Sequence, residues 1–496
     1  VKIKKILIAN RGEIAVRVIR TAKAMGIKTV CLYAEDDKFL PHAQKSDEAF
    51  SLGSGALKET YLNQDKIIQI ALQSKADAIH PGYGFLSENS GFARKVEAAG
   101  IIFIGPTPEN IDLMGDKIGS KIAVEKINVP MIPGYHGKDQ SEDFLLKKSK
   151  EIGYPVLIKA SAGGGGKGMR IVENEGQFKE AFAGAKSEAL KSFGNDAVLL
   201  EKYIVNPRHI EVQVMSDQQG QHFHLYEREC SIQRRYQKII EETPAPGLSH
   251  ELQNRICETA RSIAAGIHYR GAGTVEFILT PNGEFYFLEM NTRLQVEHPI
   301  TEEVLGLDLV KLQIQVANNE KLNLHQEQIK QKGHSIECRI CAEDPDQGFL
   351  PTTGKISSLG KPELVGVRLD SGFCDGAEIG INYDSMLAKL IVKADSRDEA
   401  IVKMIKSLDD VTFTGIKSNR DYLKRILGHS SFMKGETHTH FIKLHEKDLL
   451  PREIPEEIYA LLVATKIFSE SSQKVQSESH SSGATPWQRL NGWRNI

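Results

Sequence analysis

A hairpin is written into residues 273–291, and it constrains this chain more tightly than any other feature. Gly273–Thr280 and Glu284–Asn291 flank Pro281-Asn282-Gly283, and Asn-Gly favours a two-residue loop because both of its positions need positive φ. With Asn282 and Gly283 as the loop, Pro281 faces Glu284 and Glu276 lies directly across from Glu289. Cross-strand neighbours stand about 5 Å apart, so two carboxylates there repel unless a cation lies between them. Mg²⁺ or Mn²⁺ carrying a phosphate meets that need through hard oxygen ligands. If the second strand runs on, Glu289, Asn291, Arg293, Gln295 and Glu297 share one face, with Met290, Leu294 and Val296 on the other. That face can hold a divalent cation, grip a small planar anion in the arginine fork and keep one carboxylate as a base. The bland alternative is a row of solvated glutamates on the wet side of an antiparallel sheet.

The rest of the sequence says what kind of molecule carries this hairpin. A chain of 496 residues with 40% apolar content holds roughly three or four domains. A formal net charge of −2 disfavours nucleic acid as a partner. No apolar run is long enough to cross a bilayer, and Val1–Ala9 is too short and too strand-like for a signal peptide, so no membrane and a cytoplasmic location are expected. Six scattered cysteines make no disulfide framework and read as reduced thiols, and Cys338-Arg-Ile-Cys341 alone is weak evidence for zinc or redox work.

Along the chain, strands at Lys5–Ala9, Lys28–Tyr33, Ala76–His80 and Gly100–Ile104, with a helix from Ile14 to Met25, predict a doubly wound parallel sheet over residues 1–114. Ala9-Asn-Arg-Gly-Glu13 has one glycine and is no dinucleotide fingerprint, so a nicotinamide cofactor is not expected. A second block, 115–332, opens a helix at Met114–Lys117 and then presents strand Pro155–Lys159 before Gly163-Gly164-Gly165-Gly166-Lys167. Such a run forms a loop whose N–H groups wrap phosphate oxygens while Lys159 and Lys167 supply charge; it lacks the ending of a P-loop. Strand Asp196–Tyr203, apolar until Glu201-Lys202, reads as a hinge whose backbone can meet an adenine edge. Strand Arg208–Val214 follows. Arg234, Arg235 and Lys238 beside Glu241 and Glu242 read as a solvated mixed-charge face. A third block, 333–446, is α+β, with strands Ser335–Ile340, Val367–Asp370 and Met386–Val392 and a helix from Arg397 to Leu408. Residues 447–496 read as a helix from Pro455 to Phe468, a disordered Ser469–Thr485 linker, and a segment with Trp487 and Trp493 that looks cut short.

Together, Ala9-Asn-Arg-Gly-Glu-Ile-Ala15, His80-Pro-Gly-Tyr-Gly-Phe-Leu-Ser-Glu-Asn89, Gly163–Met169, Glu289–His298 and Glu337-Cys-Arg-Ile340 resemble the biotin carboxylases of the ATP-grasp superfamily. The likeness covers residues 1 to about 446, and Pro486–Arg494 resembles the start of the linking domain in biotin-containing α subunits of propionyl- and 3-methylcrotonyl-type carboxylases. It implies a doubly wound domain, an ATP-grasp domain with a mobile lid at about 132–203, and a strand-rich third domain. It also implies the roles that follow. Lys117, Lys159, His209, Gln233 and the Gly163–Gly166 loop with Lys167 would surround the ATP phosphates; Glu201, Lys202 and Ile204 would meet adenine; Glu276 would lie near the phosphates. Glu276, Glu289 and Asn291 would bind two Mg²⁺ or Mn²⁺ ions. Lys238, Arg293, Gln295 and Val296 would hold bicarbonate, Glu297 would deprotonate it, Arg339 would stabilise the biotin enolate, and Tyr83 would join the substrate contacts. The implied partners are a biotin carrier domain or chain, a carboxyltransferase subunit and a second copy of the chain, with the dimer as default.

Tyr236 and Cys341 depart from the family's usual residues, and no Ala-Met-Lys-Met carrier motif occurs, so Lys434 in Phe432-Met-Lys-Gly435 is not read as a biotin attachment site. The competing readings are a pyruvate or acetyl-CoA carboxylase subunit, another ATP-grasp ligase of the carbamoyl-phosphate or purine type, and a non-enzymatic scaffold. The candidate residues Arg293–Glu297 and Arg339 argue against the last two.

Overall fold

The computed structural model describes residues 2–161, 168–451, 458, 460, 461 and 463–465. The glycine run with Lys167, the Ser-rich stretch and both tryptophans lie outside these residues, and the described positions within the expected Pro455–Phe468 helix are helical. The described residues up to Leu449 form one compact unit.

The first strands build a five-stranded, wholly parallel sheet in which Lys5–Ile8 lies between Lys28–Tyr33 and Ala78–His80, these three short apolar runs being largely buried while the edge strand Glu48–Ser51 is partly exposed. Burial on both faces explains why these strands read as continuous apolar runs rather than as alternation. The sheet delivers two turns to one end. Helix Gly12–Ala24 starts directly after the first strand and places Glu13 in its first turn, where the helix dipole favours a carboxylate. After the strand Ala78–His80, Asn10 donates to the carbonyls of Pro81 and Tyr83 at 2.8 Å each. Gly82 has φ of +65° there, and a Cβ would meet the Asn10 amide at 2.8 Å, so the turn that presents Tyr83 requires glycine.

The second sheet has eight antiparallel strands, in the order Phe285–Asn291, Gly271–Leu279, Arg208–Ser216, His222–Arg234, Gln237–Thr243, His334–Cys341, Met386–Ala394 and Val367–Ser371. It runs straight across the boundary expected at 332/333, because Gln237–Thr243 pairs with His334–Cys341. A break in composition between the second and third blocks is therefore no break in hydrogen bonding. A third, four-stranded sheet contains Gly134–Tyr135, Val198–Lys202, Val156–Ala160 and Met169–Val172, with its own small core around Leu145, Ile158, Phe178 and Leu200.

The founding hairpin forms with a different turn. Thr280 pairs with Glu284 around a three-residue loop in which Gly283 takes φ of +87°, the common alternative of a turn closed by a left-handed glycine. The tip is thus one residue out of the expected register, Leu279 facing Phe285, and a bulge between Glu276 and Phe277 restores it, so Glu276 does face Glu289. The strand ends at Asn291, and residues 292–297 are a loop leading into helix His298–Leu305 rather than a continuation of the pleat.

Gly372, just after the edge strand Val367–Ser371, packs on the start of the first helix: a Cβ there would lie 2.5 Å from the Gly12 Cα and 2.6 Å from the Glu13 nitrogen. Backbone cannot yield as a side chain can, so Gly372→Ala is expected to destabilise the fold by about 1–3 kcal/mol, read as a lower urea midpoint at unchanged slope.

Candidate active site

Three glutamates stand in a row on one face of the large sheet. Glu289 pairs with Glu276, Glu276 pairs with Glu211, and Glu211 pairs with Arg228. Glu211 drew no notice in the sequence, where one charge in the strand Arg208–Ser216 looks like an outward position. It is fully buried, and its carboxylate takes the Arg228 guanidinium at 2.6 Å.

Lys238 closes this row into a site. Its ammonium lies 2.5 Å from Glu211, 2.9 Å from Glu276, 2.7 Å from Glu297 and 3.2 Å from the Gln295 amide oxygen. The segment expected to be a solvated mixed-charge face is instead split by a tight turn and a register shift in the strand Gln237–Thr243. Arg235 and Tyr236 point outward at positive φ, while Lys238, Glu241 and Glu242 turn inward. Glu241 and Arg339 then complete the frame: Arg339 bonds Glu241 at 2.5 Å and Glu297 at 2.9 Å. Glu297 is therefore gripped on one oxygen by Lys238 and on the other by Arg339.

The electrostatics follow from this packing. Burial alone would push every carboxylate up. At Glu297 burial is outweighed by Lys238, Arg339 and Arg228, which hold its carboxyl well below the usual range; at Glu276 it is outweighed by Lys238 and His209. Burial wins at Glu211, with Glu297 adding to it, and at Glu241, which is raised to about 7. Glu337, two residues before Arg339 on its strand and across from Glu241, is raised well above the carboxylate range by burial. Lys238 goes the other way: burial opposes its charge, but Glu211, Glu276 and Glu297 raise it well above an ordinary lysine.

The loop 292–297 is tied down residue by residue. Arg293 bonds Glu88 at 2.9 Å and the Asn291 amide oxygen at 3.0 Å; Asn291 and Gln295 both donate to Glu276. The His298 ring meets the Gln295 carbonyl at 2.7 Å, and Lys389 donates to the Val296 carbonyl at 2.7 Å. His298 and Lys389 were both missed, His298 as the end of a motif and Lys389 as a polar letter in an apolar strand. Tyr83 reaches the same corner, its hydroxyl bonding Glu13.

His209 lies 3.0 Å from Glu276 and bonds Gln233 at 2.8 Å. Glu289 receives no hydrogen bond from the described residues, and burial followed by Glu276 raises its pKa. That is the donor set a hard divalent cation fits: one carboxylate without a donor beside another that keeps an oxygen touched only by His209. Asn291 can add its oxygen only alongside Arg293. Lys117 starts the helix Lys117–Glu125, behind the Asp116 cap, so its charge adds to the positive end of that helix. Burial, with Lys159 and Lys121 adding, lowers its pKa against Glu289 and Glu201.

At the expected adenine contacts, the side chains have partners of their own. The Glu201 carboxylate is buried between Lys159 and Lys121, the latter at 2.6 Å, and the Lys202 ammonium bonds the carbonyls of Gly153 and Tyr154. Both side chains are engaged inside the structure, which leaves main-chain groups and Ile204 for a base edge. Lys121 is a further residue the sequence reading passed over.

A buried row of acids bridged by shared cations, with a separate four-stranded sheet that carries Lys159 and Lys202, fits the architecture of an ATP-grasp ligase. Three family models match in order: the biotin carboxylase N-terminal domain over residues 2–111, the carbamoyl-phosphate synthase L chain ATP-binding domain over 116–325, and the biotin carboxylase C-terminal domain over 337–444. The chain is 50% identical to the methylcrotonoyl-CoA carboxylase α subunit of Dictyostelium discoideum over 99% of its own length and 70% of that protein. It is 48% identical to the biotin carboxylase of Haemophilus influenzae over 89% of its length and 98% of that protein. The biotin carboxylase domain dimer of Hydrogenobacter thermophilus 2-oxoglutarate carboxylase, solved with MgADP, ADP and bicarbonate, matches with a TM-score of 0.88 at 45% identity, covering 91% of this chain and all of that one. This chain belongs to the biotin carboxylase family. It is an ATP-dependent ligase that carboxylates biotin. Among methylcrotonoyl-type relatives it spans from 61% to 70% of the full subunit.

Glu201 offers a direct check on the lysine pair. Burial opposes its ionisation, but Lys159 and Lys121 pull its pKa down to about 2. Its stabilising contribution is therefore present above the unfolded value near 4.5 and lost as pH falls towards 2. Glu201→Gln should cost about 2–3 kcal/mol at pH 7, in urea unfolding, and the gap to the parent should narrow steadily below pH 4.5.

Proposed function

We propose that this chain performs the first half-reaction of an acyl-CoA carboxylase of the methylcrotonoyl type, loading carbon dioxide onto biotin carried by another domain or chain. The observation that carries the reading is Glu297, held ionised between Lys238 and Arg339. Bicarbonate would be held by Lys238, Arg293, Gln295 and the Val296 backbone, and Glu297 would take its proton. A base held this far down is weak; an anion that draws Lys238 to itself removes part of that hold and makes Glu297 more basic as substrate binds.

The deprotonated bicarbonate oxygen attacks the γ-phosphorus of ATP, the bond to the ADP oxygen breaks, and carboxyphosphate forms. Lys117, Lys159, His209 and Gln233 would neutralise the charge spreading over the phosphoryl oxygens. Glu276, Glu289 and Asn291 would hold the divalent cations that travel with the nucleotide and supply further neutralisation. Carboxyphosphate then separates into carbon dioxide and phosphate, the phosphate takes the N1′ proton of biotin, and the enolate attacks carbon dioxide beside Arg339. The glycine loop at 163–166 with Lys167 would cover the phosphates, and Tyr83 would face biotin. The lid expected at about 132–203 suits this assignment, because the sheet spanning Gly134–Lys202 has its own core.

The acceptor reading rests on the methylcrotonoyl-type relatives. The partners that follow are a biotin carrier, a carboxyltransferase subunit and a second copy, the last supported by the dimer of the Hydrogenobacter domain. The described residues contain no helix long and apolar enough to cross a membrane. The thiols are free, which suits a reducing compartment; cytoplasm is the sequence reading, while the Dictyostelium relative is a mitochondrial protein by its name.

Glu297→Gln is expected to abolish bicarbonate-dependent, biotin-stimulated ATP cleavage while ATP still binds with about its parent affinity. Unchanged turnover would remove Glu297 from the role of base.

A further inference from the structure

We propose that Lys389 is a positioning residue for the Val296-Glu297 peptide, and through it for the carboxylate that takes the bicarbonate proton. The inference rests on the reading of Glu297 given above. Lys389 lies in the middle of strand Met386–Ala394, and its side chain is fully buried. Its ammonium donates to the Val296 carbonyl at 2.7 Å and lies 3.1 Å from the Glu13 carboxylate and 5.9 Å from the centre of the Tyr83 ring.

The sheet register gives this contact its meaning. Lys389 is the direct ladder partner of Arg339, so the two cations stand side by side on one face. Arg339 holds the side chain of Glu297, and Lys389 holds the main chain of the residue before it. Two neighbouring strands thereby grip consecutive residues of one loop, one by its carboxylate and one by its carbonyl. The carbonyl of Val296 belongs to the peptide that leads into Glu297, so fixing its direction fixes that peptide plane and leaves φ of Glu297 as the one torsion between it and the Cα–Cβ bond.

Like charges directly opposite in a ladder repel, and an ammonium taken out of water is costly unless paired. An apolar side chain would fill the same space without either penalty. The compensation comes from two sides: Asp370 is the ladder partner of Lys389 on the other flank, and Glu13 reaches in from the first helix. Since the Tyr83 hydroxyl bonds Glu13, one ammonium draws together the first helix, the 80–83 turn and the loop that carries Glu297. The competing explanation is that Lys389 only neutralises Glu13.

Steady-state kinetics of bicarbonate-dependent, biotin-stimulated ATP cleavage by the full chain separate the two. Lys389→Met is expected to lower kcat by about 10- to 100-fold with the KM for ATP little changed. The double variant Lys389→Met/Glu13→Gln removes both charges and is expected to stay as slow as the single one; recovery to the parental kcat would overturn the proposal, since charge balance alone would then explain the lysine. Lys389→Arg keeps a charge for Glu13 but replaces the compact ammonium by a longer, planar fork that cannot keep the same 2.7 Å geometry at the Val296 carbonyl inside a fully buried site. It decides the matter if the methionine variants do not fold: a reduced kcat with normal ATP binding supports the positioning role, and a parental kcat overturns it. Absence of biotin-stimulated cleavage in the parent itself would instead overturn the reading of the site.

Discussion

One ammonium organises this molecule. Lys238 is shared by Glu211, Glu276 and Glu297, three carboxylates that burial would otherwise force to protonate or to move apart. Burying one cation with three acids is unfavourable bookkeeping for stability alone, and the surrounding structure is arranged to sustain it. Arg228 braces Glu211 from behind, His209 takes the far oxygen of Glu276, and Arg339 takes that of Glu297. Each of these partners stands on a different strand of the same sheet or in the loop at its edge. The register of five strands and the charge state of the site are consequently one problem.

That dependence explains why the large sheet crosses the expected domain boundary. Arg339 belongs to the third block by sequence, yet it must reach Glu241 and Glu297, and it does so because its strand pairs with Gln237–Thr243. Lys389, one strand further on, extends the same logic to the backbone of the loop 292–297. The sheet containing Lys159 and Glu201 is separate, which suits a part that handles nucleotide phosphates rather than the acid cluster.

The sequence was legible where charge and turn chemistry are local. The parallel sheet followed from apolar runs, and the Glu276–Glu289 pair from the Asn-Gly hairpin, although that register came out correct only because a longer turn and a bulge cancel. Bulges have no short-range signature strong enough to predict them. Long-range pairing hid the rest. Glu211, Glu241 and Lys389 each look like an outward-facing polar letter in a strand, and only register across strands tens of residues away shows that they face inward to partners. Glu201 shows a different limit: its position beside an expected hinge pointed to a main-chain contact, and nothing in the sequence told that its carboxylate serves two lysines.

The central claim is that this acid-and-cation cluster joins bicarbonate to the γ-phosphate of ATP. Turnover in ¹⁸O-labelled bicarbonate tests it most directly, with the inorganic phosphate product analysed by mass. The account predicts that each phosphate released in biotin carboxylation carries one oxygen from bicarbonate. Phosphate carrying only solvent and ATP oxygens would contradict it, because the attack on ATP would then have come from water.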